Sequence, residues 1–239
     1  MTKLDTMLLK KNGSSRPRLL LPTLSLLFLA LPLFASGGEE ATEVEPIAVS
    51  GRIEYLEGDV SVNGSTVDIG AGVETGDVVT TGAASVAEIV FGGRNVFRLE
   101  PDTRAEIAFL EQRQEVSLEA GAFSAVFEDL VTLGDGESDS FRLRTNTAIA
   151  GVRGTTFYVK IEDPDSTFIC TCHGTLSIDP FGDPSPFSVT NYGHEAYRFR
   201  RDNGDVVVEP EIDLYHSSDD LNRLADRIDV TIPWGEAPN

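Results

Sequence analysis

Lysine is nearly missing from the body of this 239-residue chain: after residue 11 it occurs once, as Lys160. Nucleic-acid binding neutralises phosphates with a basic stripe, and no such stripe is present. Anionic lipid headgroups are disfavoured for the same reason. Cysteine occurs twice (Cys170, Cys172) and histidine three times (His173, His194, His216). Two cysteines one residue apart cannot staple distant parts of a chain, which excludes a disulfide scaffold. The sequence holds no G-x-S-x-G, H-E-x-x-H or P-loop, so it is not expected to be an enzyme. The acidic stretches "GDGESDS" and "IEDPDS" lack the ligand order of an EF-hand and read as solvated loops. Between Ile47 and Pro210 no stretch keeps helical periodicity for three turns.

What is present begins with a polarised N-terminus. Residues 1–18 carry five basic side chains against Asp5, and an uncharged run, "LLLPTLSLLFLALPLFA", follows from Leu19 to Ala35. A basic start, an apolar middle and small residues at its end read as a secretory signal. At 17 residues, with Pro22 and Pro32, the run is also at the short edge of a membrane-spanning helix, so an uncleaved anchor is the second reading. Both place the remainder outside the cytoplasm. The chain has 19 basic and 39 acidic residues; the first 35 hold five and one of these, which leaves 14 against 38 and a net of −24. That charge implies a solvated acidic surface.

Residues 36–46, "SGGEEATEVEP", form an acidic linker, and a β pattern follows over residues 47–210. In "VAEIVF" and "NVFRLE" apolar residues recur mainly every second position, the period of a strand with one buried face. Turn signals ("NG", "GG", "DG", "GD") recur at intervals expected of all-β domains. Gly-Asp-Val appears three times, at Gly58, Gly76 and Gly204, each copy leading into a valine-rich strand. The expected fold is an all-β domain wound as a short β-solenoid or a sandwich. Residues 211–239 differ. In "HSSDDLNRLADRI" Leu221, Leu224, Ala225 and Ile228 share one helical face, and Ser217 with Asp220 approximates a capping box. This predicts one amphipathic helix of about three turns, docked on the β body.

The stretch "TNTAIAGVRGTTFYVKI", residues 145–161, resembles the Ala-Gly-Val-Arg-Gly-Thr signature of FecR-type domains. Upstream, "GRIEYLEGDVSVNG" and "VETGDVVTTGAASVAEIVFGGRNVFRLEPDTRAEI" resemble the opening of the same family, and the resemblance spans about residues 51 to 178. It implies a β-rich domain of the bacterial periplasm or cell envelope. In the best-known members this domain senses the state of a siderophore transporter and signals through one membrane helix to a cytoplasmic anti-sigma region. Only 18 residues precede the apolar run here, too few for a domain that grips a sigma factor. The expectation is therefore an exported, stand-alone FecR-like protein: a non-catalytic binding, sensing or scaffold module. Its partner would be an envelope protein or a polysaccharide, with membrane contact only through residues 19–35. In "AGVRGTTF", Gly151 and Gly154 bracket Arg153 and predict a tight corner, with the arginine paired to an acidic neighbour or reaching a ligand carboxylate.

"FICTCHG" allows several readings. On a strand, Cys170 and Cys172 share one face and His173 takes the other. Their Cα atoms would lie about 6.5–7 Å apart, at the limit of an unstrained disulfide. Two thiolates on one face can chelate a soft ion such as zinc, with His194 as the next ligand and His216 as a further donor. His173 could join only if the strand breaks at Gly174. The alternatives are two buried small apolar residues, haem-type ligation, or a redox pair. A metal- or haem-binding or redox protein is thus the second functional reading.

Overall fold

The period-two alternation becomes strands throughout the computed structural model, which describes residues 50–110, 114–128, 141–152, 154–182 and 185–236. The signal or anchor (1–35), the acidic linker (36–46), Arg153 and the "GDGESDS" loop lie outside the described residues. Strands β1 (Gly51–Glu57), β2 (Val60–Val62), β3 (Ser65–Thr66), β4 (Gly72–Val73), β5 (Asp77–Thr81), β6 (Val86–Phe91), β7 (Asn95–Leu99) and β8 (Arg104–Phe109) form the first half. They are followed by β9 (Gln114–Ala120), β10 (Ala122–Phe127), β11 (Phe141–Arg144), β12 (Ala148–Val152) and β13 (Thr156–Asp163). The last strands are β14 (Ser166–Pro180), β15 (Phe187–Asn191), β16 (Glu195–Asp202) and β17 (Asp205–Glu211), before helix α1 (Ser218–Ala225) and a 3-10 turn at Asp226–Ile228.

Hydrogen bonding arranges these strands as two layers. One runs β4-β1-β6-β7-β10-β13-β14-β16-β17. The other runs β3-β2-β5-β8-β9-β11-β12-β14-β15, with β9–β11 its parallel pair. The 15-residue β14 belongs to both, so the layers are one sheet folded back on itself, closer to the sandwich than to the solenoid expectation. Each Gly-Asp-Val copy opens a strand (β2, β5, β17) from a glycine with φ between +73° and +100°, and none of them marks a solenoid coil.

The core between the layers is phenylalanine-rich. Phe97 and Phe123 stack at 5.1 Å, and Phe127 meets Phe141 of the facing layer at 4.5 Å. Full burial of such a ring stabilises by about 2–3 kcal/mol. The outer face of the second layer is polar, with paired hydroxyls at Thr175–Thr190 and Ser177–Ser188. The outer face of the first layer is apolar: Val96, Ala122, Val126, Tyr158, Phe168, Cys170, Cys172 and Ala196 form a second cluster. Leu221, Leu224, Ala225, Ile228 and Ile232 of the C-terminal segment cover it. Helix α1 is capped as its sequence predicts, by a reciprocal Ser217–Asp220 box. It is shorter than three α-helical turns, because the last residues tighten into the 3-10 turn and Asp229 takes a left-handed φ of +54°. Glu88, with no exposed side-chain surface, fastens this segment: Arg98 and Arg227 both bind its carboxylate, and Arg227 also lies over Tyr55.

The "AGVRGTT" stretch occupies the crossing between layers. β12 pairs within one layer and β13 within the other, and Gly154, at φ +59°, lies between them. Gly151 is an ordinary strand residue paired with Arg142 and Ser177, so the tight corner belongs to Gly154 and not to both glycines. β14 passes from layer to layer beside it, at Gly174. Gly174 has φ +103°, and a Cβ there would lie 2.9 Å from the Gly154 carbonyl oxygen. Gly174→Ala therefore meets both backbone strain and a backbone clash, and should destabilise the chain by about 2–4 kcal/mol. Urea unfolding measures it; a loss below about 0.5 kcal/mol would contradict this crossing geometry.

Candidate functional site

Both candidate cysteines lie on the part of β14 that is covered on both faces. Ile169 enters the core between the layers, while Phe168, Cys170 and Cys172 face the C-terminal segment. The pairing with β13 slips here: Thr156 opposes His173 and Phe157 opposes Thr171, so Cys172 is the extra residue of a bulge. The bulge turns the two thiols toward each other, with Sγ atoms 3.5 Å apart and unbonded. It also changes the place of His173. Strict alternation predicts that His173 is carried away from the thiol face; instead it lies against Tyr192 and Trp234, with Nε2 3.1 Å from the Glu236 carbonyl oxygen.

Two histidines complete the cluster. His194 sits in the turn between β15 and β16 at φ +63°, a left-handed conformation that a non-glycine residue adopts only under constraint. Its backbone N–H donates to the Cys172 carbonyl (3.3 Å), its Nδ1 faces Cys170 Sγ at 3.8 Å, and its Nε2 lies 2.9 Å from Ser218 Oγ. His216 immediately precedes the helix cap. Its ring stacks on Tyr158 with centroids 4.4 Å apart, which aims Nε2 at Cys172 Sγ (3.1 Å) and at His194 Nδ1 (3.2 Å). Its Nδ1 is buried without a hydrogen-bond partner. One donor atom from each of Cys170, Cys172, His194 and His216 lies within 4.8 Å of every other. Trp234 stacks on His194, at 5.1 Å, and closes the far side.

The electrostatics of this cluster favour one negative charge on the sulfurs. A hydrogen bond from the Cys172 thiol lowers the Cys170 thiol well below its ordinary value against the cost of burial, and His194 and His216 add to the lowering. Burial and the neighbouring Cys170 push Cys172 well up. Such a group can hold a small soft cation or act as a thiol pair. The sequence reading brought Cys170, Cys172, His194 and His216 forward; Tyr158, Ser218 and Trp234, which orient the imidazoles, carried no recognisable signal because each acts from a distant segment. Beside the cluster opens a cleft of about 400 Å³ between Tyr158, Lys160 and the C-terminal segment, where Lys160 lies over the ring of Tyr215 at 3.8 Å.

Residues 77–176 match the family model described as FecR protein, so the match holds Cys170 and Cys172 and ends before His194 and His216. Two crystal structures of a candidate anti-sigma factor from Parabacteroides distasonis ATCC 8503, at 1.65 and 2.50 Å resolution, are similar to the chain at 18% identity and a TM-score of 0.44. The alignment covers 56% of this chain and 59% of that one, so the chain spans about three fifths of its length. No curated protein matches the chain.

The position of His216 depends on its neighbour. Tyr215 donates to Glu162 Oε1 (2.6 Å), and Arg198 binds the same carboxylate through two nitrogens at 2.8 and 3.0 Å. Burial alone would raise the Glu162 carboxyl; the hydrogen bonds from Arg198, Tyr215 and Ser166 outweigh it and hold it down to about 2, from an ordinary 4.5. A carboxyl lowered on folding adds stability above its unfolded value and loses it as pH falls through its folded one. Glu162→Gln should therefore cost about 1 kcal/mol at pH 7, once solvent screening is allowed for. The difference should close between pH about 4.5 and about 2. Thermal melts of both chains across that range check the sign; a gap that widens as pH falls would refute it.

Proposed function

We propose that this chain, which carries a FecR domain across residues 77–176, is a non-catalytic binding and sensing module of the bacterial cell envelope. The observation that carries the reading is where the reactive side chains meet. Cys170, Cys172, His194 and His216 converge beneath the C-terminal segment, the thiols buried and the imidazoles partly exposed, and His216 also lines the cleft beside them. A site covered by a docked segment suits a bound ligand whose presence is read as a change in that docking. The acidic body and the basic, then apolar, N-terminus support export, with the module outside the cytoplasm. Among the described residues no helix is long and apolar enough to cross a membrane. The second reading, a metal-binding or redox protein, is favoured by the same four side chains and is compatible with sensing when the ligand is the metal. Haem fits less well: the donor atoms face one another within 4.8 Å, with no flat slot between them for a porphyrin.

Two measurements test the module reading. Fractionation of the native host should recover the protein with the envelope; recovery in the cytosol would overturn export. The purified chain, melted in the presence of metal ions, small anions or envelope oligosaccharides, should be stabilised by one ligand class without consuming it. At about 100 times Kd a ligand adds about 2.7 kcal/mol, or roughly 5–10 °C for a domain of this size. Chemical conversion of the stabilising compound would replace the module reading with an enzyme.

A further inference from the structure

We propose that Cys170, Cys172, His194 and His216 hold one zinc-class divalent ion in a closed tetrahedral site, and that this ion fastens the C-terminal segment to the sheet. The proposal rests on the binding-module reading and names its ligand. Its first support is geometric. A tetrahedral ion with metal–sulfur bonds of about 2.3 Å and metal–nitrogen bonds of about 2.0–2.1 Å sets its donors about 3.8 Å (S···S), 3.5 Å (S···N) and 3.3 Å (N···N) apart. The protein sets the sulfurs 3.5 Å apart, Cys172 and His216 at 3.1 Å, Cys170 and His194 at 3.8 Å, and the two imidazole nitrogens at 3.2 Å. Four of the six edges thus come close to those of a coordination tetrahedron and the other two are at most 4.8 Å, so an ion enters with side-chain shifts that draw the four donors together.

The second support is chemical. Sulfur and imidazole donors select zinc and its neighbours over calcium or magnesium, which require oxygen. Two thiolates neutralise a divalent ion, so the filled site has no net charge to bury; a monovalent ion would leave one negative charge in an apolar pocket. The tautomers agree. If His194 Nε2–H donates to Ser218 Oγ, Nδ1 is left with its lone pair toward the cluster. Ligation through His216 Nε2 places a proton on its buried Nδ1, which has no hydrogen-bond partner, a cost that the metal–nitrogen bond has to offset. Four protein donors leave no open position, the mark of a structural rather than a catalytic ion.

The third support is where the ligands come from. Cys170 and Cys172 belong to β14, His194 to the turn before β16, and His216 to the segment that covers the outer apolar cluster. Docked, the segment supplies the fourth ligand; lifted, it leaves three. Linkage then requires that the factor by which docking tightens metal binding equals the factor by which metal tightens docking. An ion lost or captured in the envelope thereby changes how often Val96, Val126, Phe168 and the thiols are uncovered.

The test uses the purified full chain with zinc, or cobalt(II) as a spectroscopic substitute. One equivalent should bind, and cobalt should give thiolate charge-transfer bands and the visible absorption of a tetrahedral ion. Cys170→Ser should abolish those bands, and His216→Ala should weaken zinc by about tenfold or more. Amide hydrogen exchange of residues 215–228 in the parent chain should slow on zinc addition and recover on chelation, by a factor comparable to the His216→Ala loss. That comparison needs no variant, so misfolding of either one does not blunt it. His173→Ala should bind zinc as the parent does. If the parent binds no zinc, the site is refuted, while the module reading survives with another ligand. If zinc binds through Cys170 with unchanged affinity in His216→Ala and unchanged exchange in the segment, the site stands with three ligands and the fastening is refuted.

Discussion

A sheet that is apolar on both faces has to be covered twice, and the rest of this structure follows from that requirement. β10 and the first part of β14 are buried at every position, so neither shows the alternation of a half-exposed strand. One face of their layer meets the phenylalanine core of the opposing layer. The other meets the C-terminal segment, whose leucines, isoleucines and single tryptophan would otherwise have no partner. The helix is too short to be stable alone, and its order comes from this packing together with the Glu88–Arg227 contact. The donor cluster lies at the second interface, its thiols buried and its imidazoles partly exposed, where buried polar groups need partners close by.

The same requirement explains which parts of the architecture were legible in the sequence. Alternation in "VAEIVF" and "NVFRLE", glycine turns and the "LNRLADRI" stripe give an all-β body with one C-terminal helix, because each is a local pattern with a local cause. Layer order was not legible. It depends on β14 pairing with β13 and β16 at one end and with β12 and β15 at the other, and nothing in "STFICTCHGTLSIDP" marks where it changes partners except Gly174. The "AGVRGTT" stretch was recognisable, but its structural task, carrying the chain between layers at Gly154, needed the pairing partners of β12 and β13 to become visible.

Within the cluster, alternation placed the two cysteines on one face, and His194 and His216 could be named as donors because so few histidines exist. What alternation could not supply is the bulge at Cys172. A single extra residue there turns the thiols toward one another and swings His173 to the end of the C-terminal segment, where it bonds Glu236. Nor could the sequence show that Tyr158, with four strands of sequence between them, would orient His216 by stacking.

The FecR-matched region ends at residue 176, and this division of the cluster bears on how such a module could acquire a ligand. The matched body supplies a rigid strand with two thiols. The two imidazoles come from the hairpin and the segment that follow it, and they reach the thiols because the outer apolar face draws that segment down. Hydrophobic cover and donor set are therefore one device: the contacts that hide Val96, Val126 and Phe168 from water also set His216 against Cys172. A change that loosens the cover moves a donor, and a change at the donors is felt along the cover.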